Sequence, residues 1–275
     1  MKSLKFAHIS DTHLVSGNPS PLLESLYRRG RAPVDNFISC LRELSTQSLD
    51  FVIHTGDAVH EGDADGYAKF RSLLNNFLPG IPVLVALGNH DHPEAFCNSF
   101  LNQSGNAEHF YCEEMLACGL RILILDTGRS NRMGSLDAEQ EAWLKERLAY
   151  SNPNGTFLMM HHPLVGSPGP LCLRLSDPLQ ELIRQSDIRA IFSGHSHSPF
   201  SGTYCGKPCF TAAALAFGVN YTQSAARYTT DIGYHLLTLN QNGNFTQRMQ
   251  RVTAPENVVK EISLITSPLA TDLDS

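Results

Sequence analysis

The stretch "FAHISDTHLV", Phe6–Val15, starts as an apolar strand and stops on Asp11 and His13. On an extended backbone, residues two apart point to the same side, so a carboxylate and an imidazole are aimed at one place. Both groups are costly to desolvate, and a bound cation would offset the cost for the carboxylate. A single Asp-x-His pair is a weak signal, because the pattern also arises by chance in turns. Its meaning depends on whether other strands end the same way.

They do. The run "LDFVIHTGD" ends in Gly56-Asp57 and "IPVLVALGNHD" in Gly88-Asn89-His90-Asp91. Further on, "GTFLMMHHP" ends in His161-His162-Pro163 and "IRAIFSGHSH" in Gly194-His195-Ser196-His197. These runs are short and nearly continuous in apolar residues, as expected of strands covered on both faces. Between them the spacing turns helical. "VDNFISCLRELSTQ" places Val34, Phe37, Ile38, Leu41 and Leu44 on one stripe, and "DAEQEAWLKERLAY" offers Asp137 as a cap with Gln140 three residues on. Strands alternating with helices predict an α/β fold with a largely parallel or mixed sheet. In such sheets ligands sit beyond the carboxyl ends of the strands, so five strand ends deliver donors to one edge. After His197, segments punctuated by Gly and Asn predict antiparallel strands. One domain is expected over residues 1–252, β-rich from about 198, with 253–275 as a partly disordered C-terminal extension.

The donors number two carboxylates (Asp11, Asp57), one amide (Asn89) and four imidazoles (His13, His161, His195, His197). That is too many for one tetrahedral zinc, and the set contains no thiolate. Two divalent cations sharing a carboxylate, roughly 3.5–4 Å apart, fit better. With two carboxylates and a hydroxide, such a centre keeps a net charge of about +1 and attracts phosphate although the whole chain carries −6. Mixed nitrogen and oxygen ligation suits Mn, Fe, Zn or Co.

The acidic balance argues against a duplex nucleic-acid partner, which needs a basic face. No window approaches the 18 or so apolar residues of a membrane helix, and "MKSLKFAHIS" does not read as a signal peptide. Seven scattered cysteines, none in a CxxC pair, fit reduced thiols and a cytoplasmic setting. Cys205 and Cys209 flank "GKP", where a hairpin with two half-buried thiols is expected over a disulfide.

The ordered set DTH, GD, GNHD, HHP and GHSH resembles the calcineurin-like metallophosphoesterase superfamily, from Phe6 to about His197. The motifs are most similar to class III cyclic-nucleotide phosphodiesterases and the related glycerophosphodiesterases. The resemblance implies a four-layer αββα sandwich of two mixed sheets flanked by helices. It implies that Asp11, His13 and His197 hold one metal and that Asn89, His161 and His195 hold the other, with Asp57 bridging. It also implies that His90 faces the phosphate and protonates the leaving oxygen, held by Asp57 or another carboxylate. The expected reaction is metal-dependent hydrolysis of a small phosphodiester, first a 3',5'-cyclic nucleotide such as cAMP. Glycerophosphodiesters or a broad diester range are the alternative, and a non-catalytic interaction module is the rival from another class. All seven ligand positions are intact, which favours an enzyme.

Other residues are read more blandly. His162 is a neighbour of the metal ligands or a substrate contact. Arg28, Arg29 and Arg31 in "YRRGR" are a solvated basic turn before they are a phosphate clamp, with Arg28 the candidate contact. Asn220 and Tyr221 in "FGVNYTQ" are candidate pocket residues. His60 and His92 are expected as solvated loop positions. The β-rich segment after Phe200 is a candidate homodimer face.

Overall fold

Why the chain forms two layers of sheet is visible in the alternation of β5 and β6. Ile122 and Ile124 of β5 (Leu120–Leu125) and Phe157 and Met159 of β6 (Thr156–Met160) point into the core between the sheets. Leu123, Leu125, Leu158 and Met160 point the other way, onto helices α5 (Ala138–Leu148) and α6 (Asp177–Gln185). A strand apolar on both faces needs a cover on each side, and the fold supplies a sheet on one and helices on the other.

The computed structural model describes the chain except residues 1, 18, 20, 30, 105–109, 129–132, 253–257 and 264–275. The first mixed sheet contains β1 (Leu4–Ile9), β2 (Phe51–Thr55), β3 (Val83–Ala86), β12 (Gly233–Leu239) and β13 (Phe245–Arg251), in the order β13-β12-β1-β2-β3. There β1, β2 and β3 run parallel, and β12 and β13 are antiparallel additions. The second has the order β4-β5-β6-β7-β9-β8, with β4 (Glu113–Ala117), β7 (Ile188–Ser193), β8 (Phe200–Tyr204) and β9 (Lys207–Thr211). A third, antiparallel sheet joins β10 (Gly218–Tyr221), β11 (Ala225–Thr229) and β14 (Val258–Ser263).

Phe6 of β1 meets Phe157 and Phe192 across the interface at 5.5 and 5.6 Å between ring centroids, which locks the two large sheets together. Helices α2 (Pro33–Ser45) and α3 (Ala64–Phe77) add Phe37, Leu41, Leu44 and Phe70 to the same core, and short α4 (Pro93–Phe96) adds Phe96. Helix α1 (Pro21–Arg29) instead packs Leu23 and Leu26 with Phe217, Val219 and Tyr228. The result is the expected αββα sandwich, and the capping box of α5 forms with both Asp137 and Gln140 engaged.

Of residues 253–275, Val258–Ser263 supplies β14, and the polar tail from 264 lies outside the described residues. Cys205 sits in the β8–β9 turn and Cys209 is buried on β9; both are free thiols. Among the described residues no helix is long and apolar enough to cross a membrane.

Candidate metal centre

Strand order brings the donors together. β1, β2 and β3 are parallel neighbours, as are β6, β7 and β9, so their carboxyl ends share one edge. The backbone then bends out of strand geometry. Asp11, His13, Asp57, His195 and His197 all have positive φ, between 41° and 68°. A non-glycine residue held there costs on the order of 1–3 kcal/mol, and such strain concentrates at functional sites. Hydrogen bonds between loops hold it: Asp11 N–H to Gly56 O (3.0 Å), His13 N–H to Asp57 O (2.9 Å) and Gly194 N–H to His161 O (2.9 Å). Gly88 is needed for close approach, since a Cβ there would stand 2.6 Å from the backbone nitrogen of Asp57.

Three donor groups result among the described residues: Asp11, His13 and His197; Asp57, His161 and His195; and His13, His60 and His90, with the ligand atoms in each within 4.8 Å of one another. Asp57 Oδ2 lies 3.5 Å from His13 Nε2 and 3.2 Å from His161 Nε2, so it spans the first two groups. Asn89 lines the cavity over them. Ring orientation is fixed from behind: His161 Nδ1 donates to Thr55 O and His197 Nδ1 to Phe217 O, both at 2.8 Å. With a proton held at Nδ1, each Nε2 is aimed at a carboxylate, where it either carries a second proton or, without it, offers its lone pair to a cation. The Nε2 atoms of His13 and His197 face each other at 3.2 Å.

Two buried atoms, Asn89 Oδ1 and His195 Nε2, have no hydrogen-bond partner. Buried polar atoms of that kind are costly, and a cation would satisfy the Asn89 oxygen. The donor set therefore fits divalent metal ions.

Electrostatics agree. Burial raises the Asp57 carboxyl, but His161 and His90 more than reverse this and hold it well below its ordinary range. Burial also lowers His161, but the opposing pull of Asp57 lifts it to about 9. Burial drives His13 and His195 well below the usual histidine value. The pocket thus prefers positive charge beside Asp57 and neutral, ligating imidazoles elsewhere.

His90 lies at the mouth. Its ring is held not by a carboxylate, as anticipated, but by the carbonyl of His60, 3.0 Å from Nδ1; Asp57 Oδ1 accepts the His90 backbone N–H instead. Asp91 anchors the loop, accepting from Tyr67 Oη at 2.8 Å and from Gly88 N at 2.9 Å. His162 is buried, 2.9 Å from the Thr127 hydroxyl, with its ring 4.2 Å from that of His195.

The structure does not bring every candidate to the site. Arg28 is exposed and paired with Glu24 at 2.6 Å, and Arg31 bonds Ser39 at 2.8 Å. Asn220 is exposed, whereas its strand neighbours Val219 and Tyr221 turn into the cavity. That cavity is walled by Leu23, Leu171, Phe217, Val219, Tyr221 and Tyr228 beside the imidazoles. Phe217, Val219 and Tyr221 follow the period of two in "FGVNY", the signal that would have found this wall in the sequence. An open depression of about 590 Å³, lined in part by Glu61, His92 and Glu94, adjoins at Asn89.

Fold and donor set together define a metal-dependent phosphoesterase. The family model described as calcineurin-like phosphoesterase matches residues 4–199, and the chain belongs to that family. It is 33% identical over 228 residues to a cAMP/cGMP dual specificity phosphodiesterase of Mycobacterium tuberculosis, covering 79% of this chain and 69% of the relative. It is 24% identical over 266 residues to the 3',5'-cyclic adenosine monophosphate phosphodiesterase CpdA of Haemophilus influenzae, covering 92% of each. In structure it is similar to a purple acid phosphatase from yellow lupin (TM-score 0.59, 15% identity), covering 95% of this chain and 53% of that one. A 5'-nucleotidase precursor from Thermus thermophilus gives a TM-score of 0.52 at 14% identity, over 90% of this chain and 54% of that one.

Proposed function

We propose that the protein hydrolyses 3',5'-cyclic nucleotides at a two-metal centre. Asp11, His13 and His197 would hold one divalent cation, Asn89, His161 and His195 the other, and Asp57 would bridge them. The observation that carries this reading is the meeting of two Asp/His donor groups at Asp57, which lies within 3.5 Å of His13 Nε2 in one and 3.2 Å of His161 Nε2 in the other. Bound cations supply charge that polarises phosphoryl oxygens and make water a nucleophile near neutral pH.

The chain's own residues do the rest. His60 O accepts from His90 Nδ1–H, which turns His90 Nε2 toward substrate; with the ring protonated at both nitrogens, Nε2 passes its proton to the leaving oxygen and is left as the neutral acceptor. His195 Nε2, buried and unpartnered, is placed to donate to a phosphoryl oxygen. Phe217, Tyr221 and Tyr228 offer flat apolar surface beside the donors, which suits a nucleobase better than a glycerol chain. The names of the curated relatives point the same way. Arg28 and Asn220 lie off the cavity, and no substrate contact is placed on them.

Purified, metal-loaded protein assayed against cyclic AMP, a glycerophosphodiester and an aryl diester tests the reading. Preferred turnover of the cyclic nucleotide is expected. Rapid turnover of the other diesters with none of cyclic AMP would overturn the substrate choice.

A further inference from the structure

His60 belongs to no strand-end donor motif, yet it touches two of the groups that matter. Its backbone carbonyl accepts from His90 Nδ1 at 3.0 Å, and its ring Nδ1 lies 3.2 Å from His13 Nδ1. The ring is stacked on that of His90, with centroids 4.6 Å apart and planes 22° from parallel. It is partly buried and forms part of the cavity wall.

Proton placement follows from the neighbours. His13 Nε2 faces His197 Nε2 and Asp57, so for that nitrogen to present a lone pair the His13 proton must sit on Nδ1. A single proton bridges the two Nδ1 atoms, and His60 Nδ1 is then the acceptor. We infer that His60 is a positioning residue: it selects the ligating tautomer of His13 and fixes that ring's direction, while its carbonyl does the same for His90. The inference rests on the proposal that His13 holds a metal. A partner behind a metal-binding histidine is usually a carboxylate, carbonyl or water, and losing it costs about 10–100-fold in metal affinity. Here a neutral imidazole takes that part, so the orienting contact adds no negative charge next to Asp57.

The acceptor role can be separated from packing. The Oδ1 of an asparagine occupies much the same place as a histidine Nδ1, whereas leucine fills similar space with a methyl group that accepts nothing. Mn²⁺ binding is measured by calorimetry on full-length wild type, His60→Leu, His60→Asn and His13→Ala. His60→Leu is expected to weaken one of two sites by about 10–100-fold and leave the other unchanged. His60→Asn is expected to restore it to within a few-fold of wild type. Equal loss in His60→Leu and His60→Asn, or no loss in either, would overturn the inference. His13→Ala separates the two readings: wild-type Mn²⁺ binding in that variant would sink the metal assignment itself, whereas its loss beside an unaffected His60→Leu would sink only the role of His60.

Discussion

Two sets of histidines in this chain use one side chain in opposite ways. His8, His54 and His235 lie within the first sheet, on β1, β2 and β12. His13, His161, His195 and His197 lie just past strand ends. Burial lowers all three interior histidines, His54 and His235 to about 4, so they are neutral and serve as hydrogen-bonding struts. His54 shows how: its Nδ1 accepts from Gly56 N–H at 3.2 Å and its Nε2 donates to the Thr12 hydroxyl at 3.1 Å. Thr12 in turn donates to Ala58 O at 2.9 Å. Every proton has a taker. At the strand ends the rings are as closely packed, but their nitrogens turn toward one another and toward carboxylates. Burial alone therefore does not distinguish a strut from a ligand. What separates His54 from the strand-end rings is that its ring nitrogens are spent on N–H and O–H groups, whereas theirs converge.

Asp57→Asn gives the largest change this contrast predicts. Without the carboxylate that spans both donor groups, metal content should fall and turnover should drop on the order of 10³-fold. Elemental analysis beside the assay checks both halves. His90→Ala comes next: turnover should fall about 10²–10³-fold with metal content intact, because the proposal gives that ring a proton to move and no ion to hold. Loss of metal in that variant would place His90 among the ligands.

The interior set is probed by acid. His235 has its folded pKa depressed to about 4 from an ordinary 6.5, so the unfolded chain binds the proton first as pH falls. Its contribution is present above pH 6.5 and is lost between pH 6.5 and 4, an amount of about 3 kcal/mol. His235→Gln should flatten the denaturant midpoint against pH over that window, and an unchanged slope would show that His235 is not a buried neutral strut. In the strand-end set His161 is shifted the other way, and here too the effect grows as pH rises. His161, lifted to about 9 in the protein, must lose its proton to ligate. Affinity for a divalent ion should therefore rise by up to about tenfold per pH unit between 7 and 9. A flat affinity profile would mean that His161 is already neutral.

The sequence carried most of the centre because its signal is local: a strand pattern followed at once by Asp, Asn or His. The α/β alternation and the candidate donors were legible from those strand ends; the order of the strands in each sheet was not. What it did not carry depends on which way a side chain turns. Asn220 and Tyr221 are adjacent, yet only Tyr221 turns into the cavity, with its hydroxyl 3.1 Å from Ser196 O. His60 was expected in solvent, because its contacts with His13 and His90 span 47 and 30 residues. Arg28, read as a solvated basic turn before a phosphate contact, is paired with its i−4 neighbour Glu24. Leu23 and Leu171 reach the cavity from segments that carry no motif.

Anomalous diffraction from crystals soaked in Mn²⁺ speaks most directly to the arrangement. Two peaks about 3.5–4 Å apart are expected on either side of Asp57, one beside His13 and His197, the other beside Asn89, His161 and His195. A lone peak remote from Asp57, or none under saturating metal, would contradict it.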